Sequence, residues 1–112
     1  MKLEIKENCL IVYLQGELDS HYADKMRKTV DETAEKYGVK NIVIDMENVT
    51  FMDSSGIGFI VGRYKYTTRR GGVTAAANAQ NSVKRIMLLS GLHRIIAIYD
   101  SLEEAVKKIE GR

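Results

Sequence analysis

The sequence predicts an α/β domain: a mainly parallel sheet of four to five strands with an antiparallel strand at its N-terminal edge, in the order ββαβαβαβα. Three observations predict it. Short runs rich in β-branched residues alternate with amphipathic segments of helical period along the whole chain. Each later gap between runs holds one helix, and the crossover between parallel strands needs such an element. Only the first two runs lack a helix between them, which makes them an antiparallel hairpin.

The elements follow in order. Leu3 and Ile5, then Leu10, Val12 and Leu14, alternate around a tight turn at Glu7-Asn8. After Gly16, the residues Ala23, Met26, Val30, Ala34 and Tyr37 recur every three or four positions. They outline the buried face of a helix capped by Asp19 or Ser20 and stopped at Gly38. Val39 to Met46 is a compact aliphatic run, expected as a central strand covered on both faces. A second helix runs from Gly56 to Arg70 with Ile57, Ile60, Val61 and Tyr64 inward, and Gly71-Gly72 ends it. A short strand at Val73 to Ala77, a helix at Ser82 to Ser90 stopped by Gly91, and a strand at Arg94 to Tyr99 continue the rhythm. Ser101-Leu102-Glu103-Glu104 is a capping box that opens a last helix with Leu102, Ala105, Val106 and Ile109 inward.

Composition narrows the function classes. A chain of 112 residues fits one domain, spanning 1–112, and 45% hydrophobic with 29% charged residues is the balance of a globular protein. Seventeen Lys and Arg against fifteen Asp and Glu leave +2, too little to make nucleic acid the expected partner. Cys9 is the only cysteine, so an intramolecular disulfide and paired-cysteine zinc sites are excluded and a reducing compartment is expected. The N-terminus lacks the apolar stretch of a signal peptide, and no run of about 18 apolar residues occurs, so a cytoplasmic protein without a membrane span is expected.

One stretch stands apart. "FMDSSGIG", residues 51 to 58, places an acid, two hydroxyls and two glycines between the central strand and the helix after it, where α/β folds put their sites. Five readings compete. In the plainest, Asp53 or Ser54 caps the helix and Gly56 and Gly58 permit close packing. Nucleotide binding fits poorly, because Gly56, Gly58 and Gly62 miss the dinucleotide spacing and the Lys-Ser/Thr of a P-loop is absent. A serine nucleophile fits poorly too: Met52 and Asp53 occupy the place where an elbow needs glycine, and only His21 and His93 could act as base. Glu17, Asp19, His21 and Asp53 follow no recognised metal spacing. A phosphoacceptor fits best of the functional readings, since a phosphate at a helix N-terminus meets free N–H groups and the positive end of the dipole.

With "GELD" at 16 to 19, "GRYK" at 62 to 65, and "VKR" at 83 to 85 followed by "SGL" at 90 to 92, the stretch resembles the STAS-domain anti-sigma-factor antagonists, and most their sporulation branch. The resemblance runs over nearly the whole chain in one register. It implies a STAS fold and a non-enzymatic protein without cofactor or metal. It implies a partner as well: a GHKL-type anti-sigma factor with bound nucleotide that is also a serine kinase, whose capture frees the sporulation sigma factor F. The phosphoacceptor it implies is Ser54, restored by a metal-dependent serine phosphatase. Gly16, Glu17, Leu18 and Asp19 would form a loop the kinase contacts, beside Asp53, Ser54, Ser55 and Gly56. Two departures bear on partner fit: Ser20-His21-Tyr22 after GELD, where relatives commonly carry histidine and threonine, and no proline before "VKR". The alternatives are a general-stress sigma regulator of the same family, or a scaffold or ligand-sensing module in which Ser54 is only a cap.

The remaining features have plainer readings. "RYKYTTRR", residues 63 to 70, carries four basic groups and no acid, and is expected as a solvated face with Arg63 and Arg70 together and Tyr64 inward. Met26, Met46, Met52 and Met87 are expected in the core. Cys9 reads as a packed or turn-flanking thiol, and His93 as a helix C-cap or a solvent-facing side chain.

Overall fold

A computed structural model describes residues 1–111. It contains β1 (Lys2–Lys6), β2 (Cys9–Leu18), α1 (Ser20–Tyr37), β3 (Asn41–Met52), α2 (Ser54–Arg69), β4 (Thr74–Ala77), α3 (Asn81–Leu89), β5 (Ala97–Tyr99) and α4 (Leu102–Glu110). The five strands lie in the order β1-β2-β3-β4-β5, with β1 antiparallel to β2 and every other pair parallel. The predicted order and mixed sheet are both present.

β2 shows why the sheet sits in the middle. Leu10, Val12 and Leu14 point to one face and pack with Met26, Val30, Ile60 and Met87 from α1, α2 and α3. Cys9 and Ile11 point to the other face and meet Ala105, Val106 and Ile109 of α4. Both faces of the strand are therefore buried, which is why its sequence reads as a continuous aliphatic run. β3 repeats the division with Ile42, Ile44 and Met46 on the three-helix side and Val43 on the other. All four methionines expected inside are buried.

The helix ends obey capping chemistry. Asp19 Oδ1 accepts from Tyr22 N at 3.0 Å to start α1, and the N–H of Gly38 bonds back to Ala34 and Glu35 to end it. Ser101 Oγ accepts from Glu104 N at 3.1 Å to start α4, as the capping box predicts.

Several expectations are corrected. Tyr37 is 59% exposed, not part of the buried face of α1. The last predicted strand forms only from Ala97, because residues 92–94 close a 3-10 turn first. β2 runs on through Gly16 to Leu18 and β3 to Met52, well past Leu14 and Met46. Gly16 makes the extension possible: the pairing slips on either side of it, and its φ of +78° is one a side chain would strain. Arg63 is not on a solvated face but is 3% exposed, whereas Arg70 is exposed.

Candidate functional site

The pairing of β2 with β3 brings "GELD" and "FMDSSGIG" together. Their parallel register ends with Glu17 opposite Phe51 and Leu18 opposite Met52, so two strand-to-helix junctions lie side by side. The segment from Gly16 to Leu18 is strand, not the expected loop, and Asp19 is the cap of α1. Leu18 and Met52 are buried and hold the junctions from beneath. A Cβ on Gly56 would overlap the Met52 side chain and stand 3.1 Å from Leu18 Cβ. Glycine there lets the first turn of α2 rest on both strand ends.

Local chemistry assigns each residue of the second junction a place. Asp53 is the N-cap of α2: its Oδ1 accepts from Ser55 N at 2.8 Å, and its carbonyl accepts from Gly56 N and Ile57 N at 3.1 and 3.2 Å. Ser54 is then the first helical residue, not the cap, and it is exposed. Its hydroxyl makes no hydrogen bond among the described residues, unlike a serine nucleophile held by a base. Ser55 is half-buried and Gly56 buried. The first junction repeats the arrangement, with Asp19 capping and Ser20 first in its helix.

Glu17 and Asp19 are exposed beside Ser54 and Asp53 is half-buried, so the rim is acidic in a chain of net charge +2. Phe51, opposite Glu17, is 48% exposed. Between α1 and α2 a shallow cleft of about 240 Å³ is lined by Ser20, Arg27, Ser55 and Phe59, among others. His21 and His93 are both exposed. Among the described residues, no three His, Cys, Asp or Glu side chains gather as a metal site would require, so Glu17, Asp19, His21 and Asp53 do not form one.

Sequence reasoning missed the brace beneath this surface. Arg63 of α2 reaches Asp31 of α1, with Nε 2.9 Å from Oδ1 and Nη2 donating to Oδ2 at 3.1 Å. Its guanidinium also lies over the Phe59 ring, 4.9 Å from the centroid. Burial pushes the Asp31 carboxyl up against the opposing pull of Arg63, and lowers Arg63. The pair ties together the two helices whose N-termini frame the site. Nothing local in "RYKYTTRR" signals it, since the partner carboxylate is 32 residues away.

The STAS domain family matches residues 1–105. The anti-sigma F factor antagonist of Paenibacillus polymyxa is 39% identical over 110 residues, 98% of this chain and 94% of that protein. The crystal structure of a putative anti-sigma factor antagonist from Thermotoga maritima superposes with a TM-score of 0.91 at 28% identity, covering 97% of this chain and 93% of that one. The anti-sigma factor antagonist SpoIIAA in its unphosphorylated form gives 0.86 at 28% identity, over 99% and 96%. The phosphorylated form of Bacillus SpoIIAA gives 0.73 at 29%, over 96% and 97%. With its sheet order, its paired junctions and these likenesses in one register, the chain belongs to the STAS-domain family of anti-sigma factor antagonists.

Proposed function

We propose that this protein is a cytoplasmic, phosphorylation-controlled partner switch acting by binding, not catalysis. Unphosphorylated, it captures a GHKL-type anti-sigma factor that carries nucleotide, and so frees the sporulation sigma factor F. The same partner, as a serine kinase, modifies Ser54. The Ser54 oxygen bonds to the γ-phosphorus of ATP, the bond to the β,γ-bridging oxygen breaks, ADP leaves and the hydroxyl proton passes to a base of the kinase. A metal-dependent serine phosphatase reverses the step by hydrolysis.

The observation that carries this reading is the state of Ser54: an exposed hydroxyl, free of hydrogen bonds among the described residues, at the first position of a helix whose cap is supplied by Asp53. A phosphate there gains the helix N-terminus, and adds about −1.5 to −2 charges to a rim already holding Glu17 and Asp19. A surface fitted to the unmodified rim must then desolvate that charge or leave, which weakens binding. The 39% identity to a sigma F antagonist and the likeness to SpoIIAA, known in both phosphorylation states, support the sporulation assignment.

The test is incubation with the candidate anti-sigma kinase and Mg-ATP, followed by mass spectrometric mapping. One phosphate on Ser54 is expected, none on the Ser54→Ala variant, and at least about tenfold weaker kinase binding by Ser54→Asp. An unmodified Ser54, or wild-type affinity in Ser54→Asp, would sink the switch.

A further inference from the structure

At the opposite end of the parallel strands from Ser54, β4 is incompletely paired. Its register with β5 begins at Ala75 opposite Ala97, so Thr74 has no neighbour on that side. The chain arrives there through the 3-10 turn at Leu92–Arg94 and then Ile95-Ile96, where the sequence had predicted strand. The missing stretch of sheet leaves a partly enclosed slot of about 170 Å³ between the last turns of α2 and α4.

Its walls are apolar: Val73, Ile96, Ile109 and the ring of Tyr64. Polar side chains line it too: Thr74, whose hydroxyl is bonded to that of Thr67 at 2.8 Å, and Thr68, Tyr99 and Lys108. Lys108 is exposed and in no ion pair among the described residues, although its neighbour Lys107 is held by Glu103 at 3.3 Å. Neither Thr68 nor Tyr99 spends its side-chain oxygen on another group of the described residues. An apolar space with a few unengaged polar groups beside it is the makeup of a small-molecule site.

Volume and charge specify the ligand. A dry cavity of about 150 Å³ accepts a benzene-sized guest, so this slot takes an apolar body of about six carbons and no peptide side of any length. The one charged lining residue is a cation, Lys108, which selects an anion for the exposed end. We propose that the slot binds a small monocarboxylate with an apolar tail of about six carbons, its tail among Val73, Ile96 and Ile109 and its carboxylate at Lys108.

The probe is hexanoate, titrated into the ¹⁵N-labelled full chain by NMR, with acetate and hexanol as comparisons. Saturable shifts are expected at Thr74, Ile96 and Tyr99, with hexanoate binding about tenfold or more tighter than acetate. Lys108→Ala should bring hexanoate down to the affinity of hexanol, and Thr68→Phe, a change at an exposed helix position, should block both. The proposal is overturned by no saturable shift at millimolar hexanoate, or by acetate and hexanoate acting alike, which marks a surface anion effect only. It is equally overturned if Lys108→Ala and Thr68→Phe both bind as wild type. None of these readouts depends on Ser54 or on a kinase.

Discussion

Because the cap of α2 is Asp53 and not Ser54, the two neighbours should respond unequally to truncation. Asp53→Ala removes the 2.8 Å bond to Ser55 N and leaves that donor half-buried, for a loss of about 0.5–2 kcal/mol. Ser54→Ala removes an exposed hydroxyl with no partner, so its effect should stay within about 0.5 kcal/mol. An unfolding entropy of about 2.1 cal/mol/K per residue gives roughly 240 cal/mol/K for this length, so each kcal/mol moves Tm by about 4 °C. Thermal melts followed by far-UV circular dichroism should therefore drop by about 2–8 °C for Asp53→Ala and by no more than about 2 °C for Ser54→Ala. Asp53→Asn, which keeps an acceptor oxygen, should melt within about 2 °C of wild type. Equal losses at positions 53 and 54, or an Asn as damaging as Ala, would refute the cap assignment. The contrast separates stability from switching: Ser54 can be altered to test phosphorylation without confounding the fold.

Two further outcomes follow from the interior. Asp31→Ala strips a guanidinium that is 3% exposed, and should cost about 3 kcal/mol, the low end for a broken buried pair because Asp31 itself is 32% exposed. Arg63→Met should cost less and should recover part of the loss when combined with Asp31→Ala; urea unfolding measures both, and an Asp31→Ala midpoint equal to wild type contradicts the brace. Burial, with Glu110 and Glu7 adding, pushes the Cys9 thiol up to about 11 from 9.0. At pH 8 that leaves about one thiolate in a thousand folded against about one in ten unfolded, so a disulfide reagent should react only on unfolding. Since the folded state holds this proton more tightly, its stabilising effect is complete below pH 9 and fades as pH rises towards 11. A Cys9→Ala variant should lose less stability over that window, and a thiol as reactive folded as unfolded would contradict the burial.

Much of the fold was legible because caps and periods are local. Gly38 and Ser101 mark helix ends in sequence as they do in space, and the aliphatic runs of β2 and β3 announce a covered sheet. What escaped depends on distant partners. The strand continues through Gly16 only because β3 is there to pair with it, and Arg63 turns inward only because Asp31 meets it. β5 loses its first half because the 3-10 turn at Leu92–Arg94 is followed by Ile95 and Ile96, which read as strand in sequence but lie outside the ladder. At the site, the composition of the stretch around Asp53 suggested a phosphoacceptor or a cap, but its contact with Gly16 to Asp19 is a product of register alone.

The twin junctions have a consequence for selectivity. Ser20 and Ser54 are both exposed, both first in a helix and both preceded by a capping aspartate, so dipole and backbone supply each with the same welcome for phosphate. They differ in what surrounds them: Asp19 closes on the third residue of its helix and Asp53 on the second, and only Ser54 is followed by Ser-Gly and preceded by an exposed phenylalanine. Ser20 is thus an internal control carried by the molecule itself. An enzyme that modifies Ser54 and spares Ser20 is reading the neighbourhood of the hydroxyl, not the helix end on which it sits.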